Sequence, residues 1–244
     1  MNRLLLICIC IVCTSRIQAQ LWIDIGAKGM FGLTALYNQN VIDDRNVNFK
    51  LRTGYGFGGR VGFNFGANHA LNVEGIHSVG HQTWEYSTDG TQANTFTTDI
   101  TWTNWDLYTL YRFNNQRTYV DIGPKFSFVQ SVKQTDTGVP GGELDNSSFY
   151  ATNLTGASLG FGGFIAGGPT FSLVLGLRID YTFTDFNSSE GKDAGYPLVN
   201  KAPYDSYKKT NPLAAQVGLE LNFGIGEFAR GTCGRRGFFF GSHK

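Results

Sequence analysis

The sequence has no apolar run long enough to form a transmembrane helix. The longest run, Leu4–Cys13, has ten residues, whereas a helix needs about 20 apolar residues to cross a bilayer. This run follows Arg3 and precedes Ile17-Gln18-Ala19, which resembles an A-x-A cleavage site. We therefore predict that residues 1–19 are a secretory signal peptide and that the mature chain begins at Gln20.

Cysteine and charge are scarce in the remaining chain. Three of the four cysteines lie in the predicted signal peptide, so Cys233 has no partner for an internal disulfide. Charged residues make up 16% of the sequence, against about 25% in an average globular protein. Of the 20 basic residues, Arg3 and Arg16 leave with the signal peptide, so 18 remain against 19 acidic residues. A chain without a basic excess is not expected to bind nucleic acid.

Glycine and aromatic residues are abundant, and apolar residues recur at every second position. Glycine accounts for 32 of the 244 residues and aromatics for 14%. Near residue 60, for example, Tyr55, Phe57 and Phe63 alternate with glycines and Arg60. This period is typical of strands that turn one face to an apolar environment. Eight such runs are predicted, at residues 21–36, 52–66, 70–86, 96–113, 117–132, 150–166, 170–185 and 211–224.

The connections between these runs alternate between short turns and long polar loops. Short turns at one end and long loops at the other are typical of outer-membrane barrels, and an even strand number places both termini on the periplasmic side. The sequence therefore predicts an all-β fold, an eight-stranded antiparallel up-and-down transmembrane β-barrel over residues 20–224, followed by a periplasmic basic tail over residues 225–244. The predicted short turns are Gly66-Ala67-Asn68-His69, Asn114-Asn115-Gln116 and Gly167-Gly168-Pro169, and the long loops are 37–51, 87–95, 133–149 and 186–210.

A soluble eight-stranded barrel, such as a lipocalin, is the main alternative fold, and its apolar face would point inward. Here the polar face of the runs is small and rich in glycine, as a narrow lumen requires. The apolar face is bulky over about 10 residues, which is the length of a tilted membrane-crossing strand. These features favour an outer-membrane location in which membrane lipid contacts the outer wall.

Charged residues of both signs fall on the predicted inward face. An isolated ion would be costly in a narrow lumen, so we expect these charges to pair. An ion path is the alternative, but eight strands leave an interior that side chains fill, which favours a plug. The predicted lumen charge network comprises Asp24, Lys28, Arg60, Glu74, Asp106, Arg112, Asp121, Lys125, Arg178, Asp180 and Glu220. The neighbours expected across the short turns are Arg60 and Glu74, Arg112 and Asp121, and Asp106 and Lys125.

Two further features are expected to act on the membrane and on assembly. The aromatic residues Trp84, Tyr86, Trp102 and Trp105 are predicted to form part of an interfacial girdle. In the last strand, a polar residue, a glycine and two spaced apolar residues resemble the β-signal that the barrel-insertion machinery reads, which makes that machinery an expected partner during assembly. The predicted barrel-insertion signal consists of Gln216, Gly218, Leu221 and Phe223.

The segment around His77 also contains Ser78, His81 and Glu85, which suggests a nucleophile with a base. On a strand, however, His77 and Ser78 point to opposite faces, and His77 and His81 lie about 13 Å apart at ~3.3 Å per residue. A catalytic triad needs hydrogen-bond reach between its members. We therefore predict no catalytic residue, no metal site and no cofactor.

Two segments, Ala70–Gly80 and Trp105–Phe128, resemble the outer-membrane β-barrel family of Bacteroidota that is often called PorT-like. The resemblance rests on Glu74 early in the third strand and on a Y-x-F … Y-V-x-x-G-P hairpin over Tyr111–Pro124. It implies a membrane barrel in the outer membrane. Some members of that family are similar to accessories of type IX secretion.

The sequence leaves three functions open. The first is a non-enzymatic barrel, structural, adhesive or accessory to secretion, that contacts a protein through its loops or through its tail. Of these parts, the loop Asn187–Thr210 is the expected extracellular surface, and the basic tail with Cys233 is the expected periplasmic one. The second function is a lipid-modifying enzyme, and the third is a small channel.

Overall fold

The computed structural model describes residues 21–66, 68–88, 95–140, 143–145, 147–168, 170–202 and 204–225. The predicted signal peptide, residues 226–244 of the predicted tail with Cys233, and the turn residues Ala67 and Pro169 lie outside these ranges, whereas Ile225, predicted to begin the tail, is the last residue of the final strand. No helix in the described part is long and apolar enough to cross a membrane. The described strands are β1 (Leu21–Asn38), β2 (Val47–Lys50), β3 (Arg52–Phe65), β4 (His69–Ser87), β5 (Thr95–Asn115), β6 (Thr118–Asp136), β7 (Glu143–Asp145), β8 (Asn153–Gly167), β9 (Phe171–Thr182) and β10 (Thr210–Ile225).

Eight of these strands form a closed antiparallel barrel. Each long strand pairs with its neighbour in the chain, from β1 with β3 through to β9 with β10. The ring closes where β1 pairs with β10, from Ile23 opposite Ile225 to Asn38 opposite Thr210. The short strands β2 and β7 extend the sheet on β4 and β6. The predicted eight-stranded antiparallel barrel is confirmed.

The strand bounds at the loop end differ from the predicted ones in both directions. β8 begins at Asn153 instead of residue 150, and β9 ends at Thr182 instead of residue 185. The fifth predicted run ended at residue 132, but β6 continues to Asp136. The loops also contain short elements that the period-two pattern does not predict, because segments of three to five residues give no periodic signal. Besides β2 and β7, these are α1 (Gln39–Asp43), a 3₁₀ turn (Ser147–Phe149) and α2 (Ser189–Asp193).

Tight turns close the end of the barrel at which β1 starts and β10 ends. Gly66 has a φ of +68° and Gln116 a φ of +41°, in the left-handed region that hairpin turns use. The long connections lie at the opposite end, which we call the loop end. In transmembrane barrels the short turns face the periplasm and the long loops face outward.

The outer wall is apolar and exposed. Phe57 has 57% of its surface exposed and Leu219 has 49%, while the alternate residues Gly58 and Gly218 lie on the inner face of their strands. Large apolar side chains are exposed in the same way on every long strand of the ring. A water-soluble barrel would turn this face inward, so the lipocalin alternative is wrong. A closed barrel with such a wall spans a lipid bilayer, and the chain is an outer-membrane β-barrel.

Candidate functional site

All eleven residues predicted to line the lumen lie inside the barrel, and none is more than 8% exposed. They divide into two groups at different heights. The larger group, which we call the lumen knot, comprises Asp24, Lys28, Arg60, Glu74, Arg112, Asp121, Arg178 and Glu220. The smaller group, which we call the upper triad, comprises Asp106, Lys125 and Asp180.

The lumen knot contains four cations and four carboxylates in one connected set of ion pairs. Glu220 accepts hydrogen bonds from Arg112 at 2.9 Å and from Arg60, and it forms an ion pair with Lys28 at 3.4 Å. Arg178 binds Glu74 at 2.7 Å. Charges removed from water are stable only when they are paired and hydrogen-bonded, and the equal count of both signs in the knot meets that condition.

Inside the knot, a charged residue can pair with a partner across the lumen instead of the residue directly opposite it on the neighbouring strand. Arg60 lies directly opposite Glu74 in the β3–β4 ladder, as predicted. Its guanidinium nevertheless binds Asp24 at 2.7 Å and Glu220, and among the described ion pairs none joins it to Glu74. Arg60 and Glu74 are therefore the cross-strand neighbours that were expected, but they do not form an ion pair with each other. The reason is that β3 pairs with β1, which carries Asp24, and that ring closure places β10, which carries Glu220, on the other side of β1. Arg60 therefore has other carboxylates within reach across the lumen.

The other two pairs predicted from the short turns are present. Arg112 and Asp121 form a bidentate pair, with distances of 2.7 Å and 2.8 Å between the guanidinium nitrogens and the carboxylate oxygens. Asp106 lies 3.2 Å from Lys125, diagonally across β5 and β6. These strands are joined by a tight turn, so their register could be fixed from the sequence.

Inward glycines give the knot its room. A Cβ on Gly62 would overlap the Arg60 guanidinium and the Asp24 carboxylate, and a Cβ on Gly26 would overlap the Asn222 side chain. Glycine is therefore required on these inward positions by close approach of charged and polar groups. This explains why the polar face of the strands is rich in glycine.

The upper triad lies on the loop side of the knot, and Tyr108 stands between the two groups. The ring of Tyr108 packs 4.7 Å from the Arg178 guanidinium and 5.5 Å from the Lys125 ammonium. Its hydroxyl donates to Asp180 at 2.7 Å. The aromatic ring thus contacts one cation from each group.

The loop end contains a second, apolar core, which we call the head. Its side chains come from the upper strands and from the long loops, and they pack against each other. Phe186, for example, lies 4.8 Å from Tyr150 and 5.7 Å from Trp102 between ring centres. The buried residues of the head core are Leu36, Val41, Val47, Trp84, Tyr86, Ile100, Trp102, Val132, Tyr150, Leu154, Phe186, Tyr196 and Leu198.

The prediction that Trp84, Tyr86 and Trp102 form a lipid-facing girdle is wrong. Trp84 and Tyr86 are fully buried and Trp102 is 5% exposed, all within the head core. Only Trp105, at 49% exposed, faces outward. The spacing along the strands indicates an inward orientation, because Trp84 is ten positions from the inward Glu74 and Trp102 is four positions from the inward Asp106. An even spacing on one strand means the same face.

The longest loop is folded rather than loose. Tyr196 and Leu198 are buried in the head core, and the Asn187 side chain donates to the Tyr196 carbonyl at 2.8 Å. The Gln134 side chain of β6 donates to the Pro197 carbonyl at 2.7 Å. The loop Asn187–Thr210, which was expected to be the extracellular surface, is therefore packed into the head over part of its length.

An ion pair fastens the first long loop to this one. Asp44 lies 2.9 Å from Lys201 and accepts a hydrogen bond from Tyr204 at 3.0 Å. Partial burial raises the pKa of the Asp44 carboxyl, but hydrogen bonds from Lys201, the Asn46 amide and Tyr204 outweigh burial and lower it below its ordinary value of 3.8. The charged form of Asp44 therefore helps to hold the two loops together.

The histidine segment on β4 does not form a nucleophile–base pair. His77 lies on the outer wall between Phe57 and Trp105, at 5.4 Å and 5.3 Å between ring centres. Ser78 points inward and donates to Asp106 at 2.7 Å. The Nδ1 of His81 lies 2.8 Å from the Thr53 carbonyl. The serine is separated from both histidines by the barrel wall.

The residues of the predicted barrel-insertion signal are divided between the two faces of β10. Gln216 and Gly218 are buried on the inner face, whereas Leu221 and Phe223 lie on the outer face. The strand that contains them pairs with β1 and closes the ring. Whether the insertion machinery reads these residues stays a prediction.

The comparisons with known proteins find similar folds among solved structures. Neisserial surface protein A matches with a TM-score of 0.40 and 12% identity over 81% of this chain and 95% of that chain. OprG of Pseudomonas aeruginosa matches with a TM-score of 0.40 and 9% identity, over 85% and 96%. Ail, the attachment invasion locus protein of Yersinia pestis, matches with a TM-score of 0.39 and 11% identity, over 83% of this chain and 99% of that chain.

No family model matches the chain, and no curated protein matches its sequence. The resemblance to the Bacteroidota family therefore stays a prediction. Structural similarity at about 10% identity carries no information about function, and the fold is established by the strand pairing of the chain itself.

Proposed function

We propose that this chain is a non-enzymatic outer-membrane barrel that acts by contact, as an adhesive or accessory protein, through its folded head. The observation that carries the proposal is the head core, in which three long connections bury apolar side chains, including Tyr150, Phe186 and Tyr196, against the upper strands. Loops on a rigid scaffold are where binding residues usually lie. A head with its own core presents a fixed surface, and a fixed surface reduces the entropy cost of binding.

The lumen knot supports contact rather than transport. Its eight charged residues are buried and paired, and they fill the cross-section on the turn side of the head. An eight-stranded ring has an interior just wide enough for side chains. The knot therefore supports a closed lumen, which is what a display scaffold needs and a channel does not.

The last part of the longest loop is exposed and contains basic and aromatic residues. Residues 205–209 are all exposed, and they include Tyr207, Lys208 and Lys209. Tyr207 is held in place, because its hydroxyl donates to Asp185 at 2.6 Å. A positioned tyrosine beside two lysines is suited to a protein partner with an acidic surface. We place the extracellular contact here.

The remaining partners belong to the same proposal. Outer-membrane lipid contacts the wall, and the barrel-insertion machinery acts during assembly. Membership of the PorT-like family and a role as a secretion accessory rest on the sequence resemblance.

The test compares cells that carry wild-type protein, the double variant Lys208→Glu/Lys209→Glu, or Lys133→Glu as a control. Lys133 is exposed on β6, where it pairs with Thr101 and Asp145. We expect the double variant to lower attachment to protein-coated surfaces by about fivefold or more, since loss of one hot-spot contact costs about 1 kcal/mol or more. Heat-modifiability on gels and the Lys133→Glu result should match wild type.

Equal attachment in all strains would contradict a contact function at this surface. Loss of activity on lipid A in a His77→Ala strain would favour a lipid-modifying enzyme instead. Steady conductance in planar bilayers would favour a channel.

A further inference from the structure

The upper triad is not balanced in charge, in contrast to the knot. The knot has four cations and four carboxylates, whereas the triad has two carboxylates, Asp106 and Asp180, and one ammonium, Lys125. All three residues are buried. A buried charge without compensation is costly, so a net charge of minus one at this height needs a partner.

The hydrogen-bond donors around Asp106 all approach the same oxygen. Its Oδ2 accepts from Ser78 at 2.7 Å, and it lies 3.2 Å from the Lys125 Nζ and 3.5 Å from the Tyr108 hydroxyl, whose proton goes to Asp180. Its Oδ1 is buried and has no hydrogen-bond partner among the described residues. One carboxylate oxygen is thus saturated and the other is bare.

Asn104 offers a second bare oxygen on the same face of β5. The residue is 3% exposed, and its Oδ1 has no partner within the described part of the chain. Asn104 and Asp106 are two positions apart, so their Cα atoms lie about 6.6 Å apart along the strand. One small species between the two side chains could contact both oxygens.

A cavity is present at this point. It has a volume of about 30 Å³, and its lining includes Asn104, Asp106, Lys125 and Asp180. A volume of this size holds one or two water-sized species. The register between β5 and β6 shifts at Thr103/Asn104, and a bulge of this kind opens the ladder and re-aims a side chain.

We propose that this cavity is a binding site for one small monovalent cation, with Asp106 Oδ1 and Asn104 Oδ1 as protein ligands and water completing its shell. Carboxylate and amide oxygens are the ligands that hard cations take. One positive charge brings the triad to neutrality, whereas a divalent ion would leave an excess beside Lys125. With the cation bound, the triad would be electrically neutral, as the knot is.

The test is the thermal stability of the full barrel refolded in detergent with sodium chloride or with choline chloride at the same ionic strength. A ligand that binds only the folded state stabilises it. We expect sodium at 150 mM to raise the midpoint of the heat-modifiable band by roughly 2 °C or more over choline. Choline is too large for the cavity, so the difference isolates a small cation from general salt screening.

Asn104→Leu should remove the sodium-specific shift, because it deletes one ligand and fills the cavity. Asn114→Leu is the matched control, since Asn114 is also buried on the inner face of β5 and also has a bare Oδ1 but lies at the turn end. The control should keep the shift.

Equal midpoints in sodium and choline for wild type would overturn the proposal and leave water, or a proton on Asp106, as the occupant. A shift that survives Asn104→Leu would overturn it as well, because the sodium would then act elsewhere. The wild-type comparison decides even if a variant fails to fold.

Discussion

The lumen knot and the head are built on the same strands from opposite chemistry. On β4, the inward face carries Glu74 in the knot and Trp84 in the head, ten positions further along. In the knot each charge finds its partner across the lumen, and the four carboxylates and four cations need nothing from the loops. In the head the largest inward side chains are apolar, and residues of the long loops pack against them.

This contrast shows how one narrow barrel can be closed in two ways. The part within the membrane is filled by paired ions, which are rigid and directional. The part above the membrane is filled by aromatic packing, which adapts to the loops that cover it. Variants of each region should therefore fail differently.

The largest effect is expected from Glu220→Gln in the knot. Glu220 pairs with Lys28, Arg60 and Arg112, and its neutralisation leaves the buried knot with four cations and three carboxylates, so that one positive charge is uncompensated. Breaking such a network costs about 3–5 kcal/mol. Urea titration of the folded barrel in lipid vesicles should show this loss in the free energy of unfolding. Asp205→Asn, an exposed change on the head, should stay within about 0.5 kcal/mol, and a similar cost for both variants would argue against the knot.

The second effect concerns the wall rather than the interior. Leu219→Arg places a charge on the lipid face of β10 and should cost about 2–4 kcal/mol if the position lies near the bilayer midplane. Leu51 is also exposed but lies in the loop end between β2 and β3. Leu51→Arg should therefore cost little in the same vesicle assay. An equal loss of stability for the two substitutions would contradict the placement of Leu219 within the bilayer and Leu51 outside it.

Much of this contrast was accessible from the sequence. The period-two pattern was sufficient to predict the ring of eight strands, and the spacing of charges was sufficient to predict which residues face inward. Tight turns fixed the Arg112–Asp121 and Asp106–Lys125 neighbours, because the register across a two- or three-residue turn has few choices.

The rest depended on contacts between segments that are distant in the chain. The partner of Arg60 is set by closure of β1 on β10, which no local pattern encodes. The folded loops contain elements of three to five residues that give no periodic signal. The burial of Trp84 and Trp102 could have been found, since both share the parity of inward charged residues. Their aromatic type alone suggested the membrane interface.

The third and smallest effect is on the head and depends on pH. The pKa of Asp44 is lowered in the folded state by Lys201 and Tyr204 against the opposing effect of burial. Its contribution to stability is therefore present above its unfolded pKa, near 3.8, and is lost as the pH falls through the lower folded pKa. The pair is partly exposed, so the contribution should be below about 1 kcal/mol.

Hydrogen exchange of the 186–210 loop at pH 5 and pH 3 measures this effect. Wild type should lose protection in the loop at the lower pH, while Asp44→Asn should show a low protection at both values. Equal protection of the wild-type loop at the two pH values would show that the ion pair does not hold the loops together.

The most direct measurement is the conductance of the purified barrel in planar bilayers, because everything assigned to the head requires that the knot closes the lumen. Wild type should show no steady current at moderate voltage, and the non-conducting state should persist when the exposed residues 205–209 are replaced. Steady unitary currents from wild type, altered by a knot variant such as Arg112→Gln, would contradict the closed lumen and make the barrel a channel.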